Sequence, residues 1–162
     1  MTLKTSGKIS EGTMKKLILT ALIIFLCGNI FSQQTQKNQT QITVKKAWVR
    51  PAAKNSNSAI YFIIENKGPK EDILLSVVSE VAELVEVHET YKKGNDLMGM
   101  REVNLLHVPA KSTLEFKPGS YHVMLINLLK DLTTGLSVNA TLNFKNAGKI
   151  PFRAVIGDSQ EM

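Results

Sequence analysis

The chain has 162 residues, a formal net charge of +6 and 43% hydrophobic residues, one domain's worth of sequence once any targeting segment is set aside. Part of the charge sits in residues 1–32 (Lys4, Lys8, Lys15 and Lys16 against Glu11), leaving 16 basic and 13 acidic residues beyond them. Those are scattered and interleaved rather than gathered into a basic stripe, which excludes the usual nucleic-acid binder.

Lys15 and Lys16 precede the eleven-residue apolar run LILTALIIFLC (17–27), and small polar residues follow. A short basic region, a short apolar core and a polar flank describe a secretory signal over residues 1–32, with Met14 as an alternative start. Cleavage is expected after Ser32. The run falls short of the roughly 18 residues of a membrane span, so the mature chain is expected not to be membrane-inserted. Cys27, the single cysteine, closes that run. A lipid anchor there is disfavoured, because bulky Leu26 stands where a small residue is usual. With Cys27 gone, the mature chain has neither thiol nor disulfide and must rest on an ordinary apolar core. QQTQKNQT (33–40) has no periodicity and reads as a flexible leader, taken as 33–42, before a domain over 43–158.

Short β-rich runs follow in order: QITVKKAWVR (41–50), SAIYFIIEN (58–66), ILLSVVS (73–79) and AELVEVHE (82–89). KKGNDLMGM (92–100) reads as a turn entering a second apolar edge, followed by REVNLLHV (101–108), STLEFKP (112–118), YHVMLINL (121–128), LSVNATLNF (136–144) and IPFRAVI (150–156). Turn signals every eight to twelve residues without sustained helical periodicity predict an all-β sandwich or barrel. In LSVNATLNF, Leu136, Val138, Ala140, Leu142 and Phe144 alternate onto one face, as in a half-buried strand. INLLKDLTTG (126–135) is expected to be a connection rather than a helix.

The residues able to do chemistry are few. Beyond the signal the histidines are His88, His107 and His122, and the methionines are Met98, Met100, Met124 and Met162. Three of those four methionines fall within 98–124. Met98 and Met100 share a face of an extended segment, as do His122 and Met124. Thioethers are soft, neutral donors that select Cu(I), whereas zinc recruits thiolate, imidazole or carboxylate. Against this, a lone strand methionine ordinarily fills core, and a lone strand-end histidine is ordinarily solvated or hydrogen-bonded. His107 has no methionine partner and is read as structural. Trp48 and Tyr121 could guide docking near such a site, although packing is the commoner use of both.

AWVRPA (47–52), AIYFIIENKG (59–68), AELVEVHE (82–89), LMGMREV (97–103), KPGSYHVMLINL (117–128) and LKDLTTG (129–135) together resemble the periplasmic copper chaperones of the PCu(A)C family. The likeness covers most of 43–156. That family carries His, an optional Met, ten residues, Met, twenty-one residues and His-x-Met. Here His88 is followed by Glu89, residues 90–99, Met100, residues 101–121 and then His122-Val123-Met124. The resemblance implies a cupredoxin-like Greek-key β-sandwich binding one Cu(I) through His88, Met100, His122 and Met124. It also implies periplasmic delivery of copper to the binuclear copper centre of cytochrome c oxidase, to another exported copper protein or to another copper chaperone. Two departures stand out: Glu89 replaces the optional Met, and Met98 is an alternative thioether to Met100. The tail GDSQEM lacks the His/Met-rich extension of some relatives, so one principal site is expected.

Other classes fare worse. A blue-copper electron carrier needs a cysteine thiolate, which the mature chain lacks. No Ser/His/Asp order or carboxylate pair suggests a hydrolase, so a carrier without catalytic residues is expected. A secreted adhesion or binding module, with its His and Met residues serving as packing, is the remaining alternative.

Overall fold

A computed structural model describes residues 41–94 and 97–157. The signal, Cys27, most of the leader and Met162 lie outside the described residues. Ten strands follow one another: β1 (Ile42–Val49), β2 (Ser58–Asn66), β3 (Asp72–Val78), β4 (Ala82–Gly94), β5 (Leu97–Glu102), β6 (Leu106–Val108), β7 (Ser112–Phe116), β8 (Tyr121–Leu128), β9 (Ser137–Phe144) and β10 (Gly148–Ile156). No helix occurs among the described residues, so the all-β expectation holds.

Hydrogen bonding joins the strands in the order β5-β4-β8-β7-β2-β1-β10-β9-β3-β6, with β8 also paired to β2. The sheet doubles over on one core. Ile60, Phe62, Ile64, Val87, Val123 and Leu125 come from one leaf, and Leu74, Val77, Val138, Leu142, Ala154 and Ile156 from the other. Phe62 stacks on Phe116 with ring centroids 4.3 Å apart. Burying apolar side chains of this size stabilises by about 1.5–3 kcal/mol each before the entropy of ordering them is counted.

The fold-over depends on β1. Its register with β2 shifts between Lys45 and Trp48, and Lys46 there has φ of 50°. An extra residue of this kind bends a strand and raises its twist. Past the bend, Trp48 and Val49 still pair with β2 while also meeting Val155 and Ile156 of β10 in parallel. β2 likewise divides its partners: Ser58–Ile60 pair with β8, and Phe62–Asn66 with β7. That division seats β8 beside β2, and it sets the neighbourhood of His122.

Three local expectations change. The break placed between Met100 and Arg101 is absent, since β5 runs through both. β4 continues past Glu89 to Gly94, because the polar stretch after His88 forms the projecting arm of a hairpin with β5. Leu136 precedes β9 and is 61% exposed, whereas Val138, Ala140, Leu142 and Phe144 are buried as the alternation requires. Of INLLKDLTTG, the first three residues close β8 and residues 129–135 form a connection rather than a helix, as expected; Leu132 within it is buried and bridges back to Ala52.

Candidate metal centre

The register of two strand pairs collects the candidate ligands. On β4 and β8, His88 lies opposite His122 and Glu86 opposite Met124. On β4 and β5, Thr90 lies opposite Met100. Residues directly opposite, and those two apart on a strand, share a sheet face. His88, His122, Met124 and Met100 therefore stand on one face of three adjacent strands. The other face of β8 and β4 carries the core residues Val123, Leu125 and Val87.

The two imidazoles are 5.9 Å apart between ring centroids and meet edge to face. His122 is 5% exposed. Its Nδ1 lies 3.0 Å from Ser120 O; a carbonyl only accepts, so Nδ1 carries the proton and Nε2 keeps a lone pair. Burial depresses the His122 pKa; the Ser120 carbonyl opposes this, and the charges of His88 and Arg50 reinforce it. The ring is thus held in its neutral, ligand-competent form.

His88 has the opposite arrangement. Its Nε2 lies 2.8 Å from Glu86 Oε2, so the proton sits on Nε2 and donates to the carboxylate. That leaves Nδ1 buried without a hydrogen-bond partner among the described residues. An unpartnered buried acceptor costs about 1–3 kcal/mol, and a soft cation bound there would remove the penalty. A carboxylate behind a ligating imidazole is the usual device for fixing its tautomer. Sequence reasoning passed over Glu86, although the i, i+2 spacing of Glu86 and His88 in EVH placed both on one face of a strand.

Met100, His122 and Met124 line one cleft of about 300 Å³, together with Arg50, Tyr61 and Thr90. Met124 is half-buried, whereas Met100 is 63% exposed on the edge strand β5. Met98 shares the Met100 face but pairs with Lys92, one step nearer the hairpin tip and farther from His88; neither Met98 nor His88 is part of the cleft lining. Gly99 between them is a contact requirement. A Cβ there would come within 2.8 Å of the Tyr91 ring, which lies opposite Gly99, with Arg101 5.3 Å above it.

His107 lies apart, on β6 at the other end of the sheet order, where its Nδ1 meets Glu71 on the surface at 3.0 Å. Trp48 packs on Tyr61 with the rings tilted by 31° and their centroids 4.4 Å apart, and Tyr121 packs with its ring centroid 6.0 Å from that of Phe116. Among the described residues no three His, Cys, Asp or Glu side chains converge as a metal site. The cluster of potential ligands at this face is therefore two imidazoles supplemented by thioethers, a soft and uncharged donor set suited to copper.

Comparison with known proteins gives a consistent result. The family model described as "Putative lipoprotein LpqE-like" matches residues 42–156. The chain is 33% identical over 158 residues to the protein named "Putative lipoprotein Lxx21020" of Leifsonia xyli subsp. xyli, spanning 96% of this chain and 93% of that one. It is 27% identical to the uncharacterized protein RP573 of Rickettsia prowazekii, over 90% and 96% of the two chains. Among solved structures, the apo PCuAC domain from PmoF1 superposes with a TM-score of 0.60 at 27% identity, covering 72% of this chain and 93% of that one. The solution structure of Cu(I)-bound DR1885 from Deinococcus radiodurans gives 0.56 at 25%, over 77% and 85%. These neighbours bear out the resemblance to PCu(A)C copper-chaperone domains and the cupredoxin-like β fold.

Proposed function

The chain belongs to the LpqE-like family, and from that premise we propose that it is an exported copper carrier holding one Cu(I) through His88, His122, Met100 and Met124. The observation that carries this reading is the buried, unpartnered Nδ1 of His88 beside a second imidazole whose free nitrogen is Nε2, on a face shared with two thioethers. It is supported by similarity to PCuAC domains, one of them from PmoF1, and to a protein solved with Cu(I).

All four donors are neutral, so the bound ion keeps its single positive charge and no sulfur proton has to leave. Affinity then rests on softness and geometry, and a partner's thiolates can replace the ligands one at a time. Met100 is the natural first ligand to exchange because it is exposed at a sheet edge. The receiving protein, on this reading, is the copper subunit of cytochrome c oxidase or another exported copper protein, met in the periplasm after the signal over 1–32 has directed export. The protein moves copper and catalyses no reaction.

X-ray absorption on the copper-loaded chain counts neighbours of the ion directly. The expected result is reduced copper with two nitrogen and two sulfur neighbours. A shell of nitrogen and oxygen alone would eliminate the thioether site and, with it, this reading.

A further inference from the structure

The cleft beside Met100 and His122 has a cationic wall. Arg50 directly follows β1, and its backbone N–H donates to Ala59 O at 3.1 Å; Ala59 in turn faces Met124 across β2 and β8. The Arg50 Nη2 donates to the Tyr61 hydroxyl at 3.3 Å, and its guanidinium carbon lies 5.9 Å from the Tyr61 ring centroid. Tyr61 is itself 4% exposed and packed against the tilted ring of Trp48. A guanidinium resting on an aromatic platform is presented in a fixed orientation.

No carboxylate pairs with Arg50 among the described residues. Glu86 is engaged by His88, and Glu89 by Arg101. Glu102 lies on β5, three strand spacings from β2 through β4 and β8, which is roughly 14 Å. A fixed positive charge lining the cleft of a cation is unfavourable by itself. It becomes favourable when an anionic group arrives from outside, and the guanidinium fork matches a carboxylate in two parallel hydrogen bonds.

Resting on the copper-carrier reading, we propose that Arg50 anchors an acidic side chain of the protein that exchanges copper with this one, docked over the cleft. The loaded cleft carries one more positive charge than the empty one. An acidic partner is therefore held more firmly before transfer than after, which favours release of the emptied carrier.

The test uses the full chain and two synthetic acceptor peptides, each with a Cys-x-x-x-Cys pair, one flanked by three aspartates and the other by three asparagines. Stopped-flow transfer of Cu(I) is expected to run about fivefold faster to the aspartate peptide at low salt, and this preference fades at high salt. Arg50→Gln removes the preference, while Arg50→Lys retains part of it. Rates are compared at equal copper loading, so that the preference between the two peptides is read independently of any change in Cu(I) affinity. Equal rates to both peptides in the unmodified protein, or an undiminished preference in Arg50→Gln, would overturn the proposal. An NMR titration of the copper-free chain reads docking without copper: the aspartate peptide shifts the Arg50 Nε–H signal and the asparagine peptide does not. No shift with either peptide refutes docking, whereas a shift without measurable copper binding sinks only the carrier reading.

Discussion

His122 and Met100 line the same cleft, yet one is 5% exposed and tied to Ser120 O, and the other is 63% exposed on the strand that ends the sheet order among the described residues. The imidazole half is built into the fold. His122 sits between β4 and β2 and has the core immediately behind it, while His88 is locked by Glu86. Of the two thioethers, Met124 shares β8 with His122, whereas Met100 is held only by the pairing of β5 with β4. A carrier profits from this asymmetry, because rigid donors hold the ion in place and a loosely held one lets a competing ligand in.

The contrast can be broken at its strong end first. His122→Ala should weaken Cu(I) binding by about 100-fold or more, read by competition with a chromophoric chelator. Stability should fall by about 1–3 kcal/mol in urea unfolding, as a buried, hydrogen-bonded ring is removed. Both effects small would mean that the imidazole half is not the anchor. At the weak end, Met100→Ala should lose about tenfold in affinity. Its unfolding free energy should stay within about 0.5 kcal/mol of the parent, since an exposed side chain is lost. A drop in stability as large as that of His122→Ala would erase the distinction between the halves.

Glu86→Gln sharpens the comparison within the imidazole half. It should cost about tenfold in Cu(I) affinity with the ligands intact, and nitrogen chemical shifts of copper-free His88 should change from one tautomer to a mixture. Unaltered shifts would show that the carboxylate does not set the tautomer.

The pH dependence has a definite sign. Folded His122 binds its proton more weakly than the same residue in the unfolded chain, where the value is near 6.5. As pH falls below that value the unfolded state takes up more protons, so copper-free stability declines; above it the contribution is constant. His122→Asn should flatten this slope in urea titrations between pH 7 and 5, and an unchanged slope would assign it to other groups. The smallest effect is expected of Met98→Ala, less than about twofold in affinity, because Met98 pairs with Lys92, nearer the hairpin tip and farther along β4 from His88 than Met100 is. A loss matching that of Met100→Ala would move the thioether ligand two residues along β5.

Much of this was readable in the chain. Alternation in SVNATLNF placed Val138, Ala140, Leu142 and Phe144 inward, and period-two spacing put His122 with Met124 and Met98 with Met100 on shared faces. It failed at Leu136, where the strand had not yet begun, because alternation marks a face without marking an end. It also failed around Met100, where the hairpin β4–β5 is polar and exposed, so that no apolar pattern revealed its length.

The sequence by itself determined the strand content, the donor types and the absence of thiolate beyond residue 27, since these follow from local periodicity and composition. Only the tertiary structure decided that His88 stands opposite His122, that Glu86 occupies one ring nitrogen and leaves the other free, and that Met100 lines the cleft while Met98 does not. The first depends on pairing register between β4 and β8, strands far apart in the chain. The second depends on how two side chains turn towards each other along β4, and the third on the register of the β4–β5 hairpin. Register is fixed by how whole faces bury against a common core, and no short stretch of residues encodes it.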